Sequence, residues 1–110
     1  MNGRILRLTI KKKWFDLIAS GEKKIEYREA KPYWQSRLIK SAGLCITFYS
    51  FSEIHFRNGY SKDAPLIRTE WAGTGLQELA PYPAAGFERG TYFLIHIGKI
   101  LEKPEVELIA

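Results

Sequence analysis

The sequence predicts an α+β fold, a small mixed β-barrel flanked by two short helices. Three observations predict it. Short runs of alternating apolar and polar residues recur along the chain. Helical spacing appears in only two places, both within the first forty residues. A long apolar run, Thr91–Ile100, comes late in the chain, where a closing strand is expected. At 110 residues, with no repeat, linker or low-complexity tract, the expectation is a single domain spanning 1–110. Hydrophobic residues make up 45%, enough for one core, since a chain of this length buries roughly two-thirds of its unfolded surface.

Taken in order, Arg4–Ile10 reads as a strand, with Leu6, Leu8 and Ile10 alternating with Arg7 and Thr9. From Lys11 to Ser20 the spacing turns helical and sets Trp14, Leu17 and Ile18 on one face. Gly21 is the expected helix stop. Lys24–Arg28 returns to strand alternation, with Glu26 and Arg28 on the face opposite Ile25 and Tyr27. A second helix is expected from Pro32 to about Lys40, with Trp34, Leu38 and Arg37 on its inner side, ended by Ala42-Gly43. Leu44–Ser50, Glu53–Phe56, Ile67–Trp71 and Thr91–Ile100 read as further strands, with a turn at Asn58-Gly59. Gly73-Thr74-Gly75 reads as a flexible turn, and residues 81–90, with two prolines and two glycines, as a loop.

Composition excludes several classes. The one cysteine, Cys45, allows no internal disulfide and sits in an apolar run, where a buried, inert thiol is expected. No apolar stretch approaches the ~18 residues of a membrane span and no signal-peptide core is evident, so a cytoplasmic protein that engages no membrane is expected. His55 and His96 are isolated in apolar strands, so no metal ligand set and no cofactor is expected. No Ser-His-Asp or Cys-His arrangement and no phosphate-binding glycine loop is present.

The net charge of +5 is unevenly distributed. Residues 1–40 hold eleven Lys and Arg against four acids, and residues 41–110 hold six against eight. The basic excess lies wholly in the first third, as on a face that meets phosphate. Lys11, Lys12 and Lys13 open a helix, where the macrodipole already disfavours cations, so an anionic partner would relieve them. The plain alternative is a set of solvated lysines tolerated at small cost. Trp14 and Trp34 are at core spacing, while Trp71, Tyr49 and Tyr60 are candidates for stacking on a base.

The densest cluster of chemistry is Gly21-Glu22-Lys23-Lys24-Ile25-Glu26-Tyr27-Arg28. Lys23 at the turn and Glu26 and Arg28 on the strand offer an ammonium, a carboxylate and a guanidinium. Together they could bind phosphate or a base edge, or supply an acid–base pair. The plain alternative is an exposed Glu–Arg pair worth little.

With its flanks, this stretch resembles the start of an ASCH domain, a PUA-like family. The shared pattern is a strand, an aromatic-bearing helix and Gly-x-Lys-x-x-Glu-x-Arg, here Gly21 to Arg28. The Asn58-Gly59-Tyr60 turn and Gly98-Lys99-Ile100-Leu101 extend the likeness over nearly the whole chain. The resemblance implies a PUA-like barrel with the motif on the floor of a cleft, and RNA or a nucleotide-like small molecule as partner. The expected ligand-binding residues are Lys23, Glu26 and Arg28 of the motif, with Lys11, Lys12 and Lys13 from the charge reading and Tyr60 from the stacking reading above. Some relatives of that family are hydrolases, acting as ribonucleases or on N4-acetylcytidine, which would make Lys23 and Glu26 catalytic. The amidohydrolase branch carries threonine where this chain has Glu26, and its later glutamate has only Glu70 and Glu78 as candidates here.

Overall fold

The computed structural model describes residues 3–81 and 88–105. Its elements run β1 (Ile5–Ile10), α1 (Lys12–Ala19), β2 (Ile25–Glu29), α2 (Pro32–Leu38), β3 (Ile39–Ala42), β4 (Ile46–Phe48), β5 (Glu53–Asn58), β6 (Leu66–Leu79) and β7 (Gly90–Glu102). Hydrogen bonds order five strands as β1-β5-β6-β7-β2, and β3 and β4 form a separate two-stranded sheet. The expected PUA-like β-barrel is therefore not closed. Closure needs strand number, stagger and tilt to agree around a ring. Here the order ends on β1 and β2, and the two strands left over to extend it pair with each other instead.

The chain forms two compact units, each assembled from separated segments. The first takes residues 1–24, 51–71 and 97–110, the second residues 25–50 and 72–96.

In the first unit β1 lies parallel to β5, in register from Ile5 opposite Glu53 to Ile10 opposite Asn58. β5 then pairs antiparallel with the start of β6. Alternation sends Leu6, Leu8, Ile10, Ile54, Phe56 and Ile67 to one buried face. Each such side chain contributes roughly 1.5–3 kcal/mol by leaving water. Helix α1 buries Phe15 and Ile18, while Trp14 and Leu17 stay half-buried. The expected inner stripe is thus rotated, because Phe15 and not Trp14 takes the deep position one turn before Ile18. Gly21 ends the helix as expected, at φ 84° with its N–H donating to the Ile18 carbonyl.

In the second unit β2 runs antiparallel to the first half of β7, from Ile25 opposite His96 to Glu29 opposite Tyr92. Leu38, Phe93 and Ile95 are buried, and Phe48 meets Phe93 edge to face at 6.3 Å. Helix α2 stops at Leu38, two residues earlier than expected, because the chain turns extended at Ile39 and enters β3. Residues 43–45 then form the tip of the β3–β4 hairpin, not the start of a buried strand. Leu44 is fully exposed, and Cys45 is exposed too, not buried as its apolar neighbours suggest. A two-stranded ribbon has two sides, and this one buries little on either.

β6 continues through Gly73-Thr74-Gly75, where a turn is expected from composition. Ladder pairing in the sheet outweighs the local preference of two glycines. Of the expected 81–90 loop, residues 82–87 lie outside the described residues. No helix among the described residues is long and apolar enough to cross a membrane.

Gly98 shows where the sheet admits no side chain. A Cβ there would lie 3.0 Å from the Glu70 Cβ and 3.2 Å from its carbonyl oxygen. Gly98→Ala should lose about 1–3 kcal/mol of stability in urea unfolding, as overpacking does. Gly75→Ala, which meets nothing within 4 Å, should change the midpoint far less. Equal midpoints for the two variants would show that the approach of Glu70 is not a constraint.

Candidate functional site

The Gly21–Arg28 motif is split by the fold. Glu26 and Arg28 lie on β2 in the second unit, and Lys23 belongs to the first.

In β2, Glu26 stands opposite Ile95 and Arg28 opposite Phe93. Cross-strand partners share a face, and Ile95 and Phe93 are buried. The charged pair therefore occupies the inner side, and Ile25 faces exposed His96. Glu26 is 6% exposed. Arg28 donates to Glu26 Oε2 from Nε at 3.1 Å and from Nη2 at 2.7 Å. Its guanidinium lies 5.0 Å from the centre of the Trp34 ring, which α2 supplies. The exposed Glu–Arg pair of the plain alternative is not what forms. Desolvating both ions costs several kcal/mol per ion, so the pair is weak support for stability and calls for another reason to be kept.

In the first unit Trp14 is the focus. The Lys13 ammonium is 4.7 Å from the centre of its ring and the Lys23 ammonium 5.2 Å. Lys11 caps α1 through its carbonyl, which accepts from Trp14 and Phe15, and no side chain caps this end. Lys12 pairs with Asp16 at 2.6 Å, an exposed contact worth little. No acid lies in the first turn. The structure thus brings Lys13 and Lys23 onto one indole beside Lys11 and Lys12. Tyr60 stands apart, 91% exposed on the β5–β6 connection.

Sequence reasoning missed a second charged group in the first unit. Arg68 on β6 grips Glu53 on β5 with Nε to Oε1 at 2.8 Å and Nη2 to Oε2 at 3.0 Å, and reaches Glu102 at 3.3 Å. His55 Nε2 donates to the same Glu53 Oε1 at 3.0 Å. The signal lay in the alternation: Glu53 and His55 are two apart, and Arg68 is opposite His55 in register. These bonds from Arg68 and His55 hold the Glu53 carboxyl well below its usual range, at about 2.

The remaining expected residues divide between packing and surface. Trp71 packs edge to face on Phe51 at 5.8 Å, so its ring serves the core. Glu70 and Glu78 are exposed, and so is His96. Among the described residues no three His, Cys, Asp or Glu side chains gather as a metal site would require.

Comparison with protein-family models found none that matches, and comparisons with curated proteins and with solved structures found no match either.

Two measurements test this geometry. Arg28→Met leaves the Glu26 carboxylate buried without its guanidinium, and unfolding free energy should fall by about 3–5 kcal/mol. A loss below ~1 kcal/mol would mean the pair is effectively solvated. For Glu53, whose folded value is depressed, the stabilisation is fully present above its unfolded value near 4.5 and is lost as pH falls toward 2. Between those values wild type should lose urea resistance more steeply than Glu53→Gln. Parallel pH profiles would refute the assignment.

Proposed function

We propose that the chain binds RNA or a nucleotide-like ligand, and that Trp14 and the lysines on its ring take part in holding it. The observation that carries this reading is the placement of two ammonium groups, Lys13 and Lys23, on one ring. Lys11, Lys12 and Lys13 open a helix that has no acid in its first turn, where the macrodipole disfavours cations. A phosphate at that end lowers this cost, and an indole offers a flat surface to a base. Lys11 and Lys12 extend the same basic end. The likeness of Gly21–Arg28 to the ASCH motif supports the reading from the side of sequence, because it supplies Lys23 to this surface.

A second reading, a small hydrolase acting on RNA or a modified nucleoside, is favoured by one observation. Glu26 is a carboxylate at 6% exposure, in the kind of sheltered setting where side chains move protons. Glu26 would be its working group in the second unit.

One titration separates the two. Short single-stranded RNA is added at two salt concentrations to wild type, Lys13→Ala, Lys23→Ala and Glu26→Gln, with RNA integrity followed on gels and nucleosides by mass. Binding should weaken with salt, and each lysine substitution should lower affinity and flatten the log–log salt slope by about 0.7 for each phosphate no longer neutralised. Intact RNA throughout supports binding without turnover. Cleavage or deacylation that vanishes in Glu26→Gln replaces it with the hydrolase, and wild type that binds nothing ends both readings.

A further inference from the structure

The second unit carries an arrangement that neither reading uses. On α2 the guanidinium of Arg37 lies 3.4 Å from the centre of the Tyr33 ring, at van der Waals contact. Tyr33 meets Trp34 edge to face, with centres 4.9 Å apart and planes at 80°. Trp34 in turn takes the guanidinium of Arg28 at 5.0 Å. Four planar groups thus follow one another by contact, Arg28, Trp34, Tyr33 and Arg37. One end is fixed by the buried Glu26 carboxylate. The other end is in solvent, where Tyr33 is 55% exposed and Arg37 is exposed as well.

Hydrogen bonds tie the arginine of the exposed end to its own helix. Arg37 Nη1 donates to the Tyr33 carbonyl at 2.9 Å and to Ser36 Oγ at 3.4 Å. The i, i+4 spacing sets Arg37 one turn beyond Tyr33 on the same side of the helix. As a device for stability this is poor, since an exposed cation–π contact contributes ~0.5–1 kcal/mol and leaves most of a tyrosine in water. As a docking surface it is better prepared, because the contacts of Arg37 with Tyr33 and Ser36 reduce the rotamer entropy that stacking would otherwise cost. The Tyr33 hydroxyl has no partner among the described residues. From Pro32 to Lys40 there is no acid, and Arg37 and Lys40 supply positive charge.

We propose that the exposed end of this ladder, Tyr33 and Arg37 on α2, is a stacking platform for the unpaired bases of single-stranded nucleic acid. The proposal rests on the nucleic-acid reading above and names the form of the ligand. Aromatic rings and guanidinium planes both accept a base on their faces. A duplex keeps its base faces stacked inside and offers none to such a surface. The neighbouring cations take the sugar–phosphate backbone, and the tyrosine hydroxyl is free to bond a base edge or a phosphate.

The test uses a labelled single-stranded oligoribonucleotide and its duplex form, with wild type, Tyr33→Leu, Tyr33→Phe and Arg37→Lys, each checked for folding by circular dichroism. Tyr33→Leu removes the ring and should weaken single-strand binding about ten-fold, within the range for removing one stacked ring, with the salt slope unchanged. Tyr33→Phe keeps the ring and should retain most of the affinity. Arg37→Lys keeps the charge but not the plane and should weaken binding much as Tyr33→Leu does. Binding to the duplex should be weaker than to the single strand and insensitive to all three. If the single strand binds and its affinity is unmoved by Tyr33→Leu and Arg37→Lys, the platform is overturned while the nucleic-acid reading stands. The platform is equally overturned if Arg37→Lys acts only by changing the salt slope. If wild type binds neither form, both fall together. Should Tyr33→Leu fail to fold, Arg37→Lys decides alone.

Discussion

Holding a charged pair on the inner side of a strand constrains the whole of the second unit. Glu26 and Arg28 face the same side as Ile95 and Phe93, so every group around them must compensate for lost water. Arg28 meets the carboxylate with two N–H groups and lays its plane against Trp34. That contact positions the tryptophan, the tryptophan meets Tyr33, and Tyr33 accepts Arg37. A shift of β2 by one residue against β7 would turn Glu26 outward and bring Ile25 and Tyr27 inward. The ladder on α2 would then lose its fixed end.

The first unit solves a different problem. Its apolar residues alternate cleanly, and its parallel pair β1–β5 buries one face under ordinary side chains. Charge is kept on the other face, where Arg68 bridges Glu53 and Glu102 and His55 joins them. That network links β5, β6 and β7 by side chains on the polar side of the sheet. Salt weakens such partly exposed pairs, whereas the Glu26–Arg28 pair is better shielded by burial.

Much of this was legible in the sequence, and where it was not the reasons are physical. β1, α1, β2 and the turn after Asn58 follow from local pattern, because alternation, helical spacing and a glycine act over a few residues. The failures came where partners distant in sequence decide. Strand alternation shows that Glu26 and Arg28 share a face, but only their register with β7 shows that this face is buried. Phe15 displaced Trp14 in the core of the first unit because packing selects among apolar residues that spacing ranks alike. Gly73-Thr74-Gly75 became strand because ladder partners outweigh turn propensity. The open sheet could not be read either, since whether a sheet closes depends on which strands pair at its ends. Of the candidate groups, Lys23, Glu26 and Arg28 were visible as a cluster of chemistry. Tyr33 and Arg37 were not, for no motif marks an i, i+4 cation–π contact.

The β3–β4 hairpin has a practical consequence. It carries the chain's one cysteine at an exposed tip beside a fully exposed leucine. A maleimide dye will therefore attach once per molecule and at a known place, without any engineered residue. The same thiol will cross-link copies of the chain in air unless a reductant is kept in the buffer, so an apparent dimer on a non-reducing gel reports oxidation and not assembly.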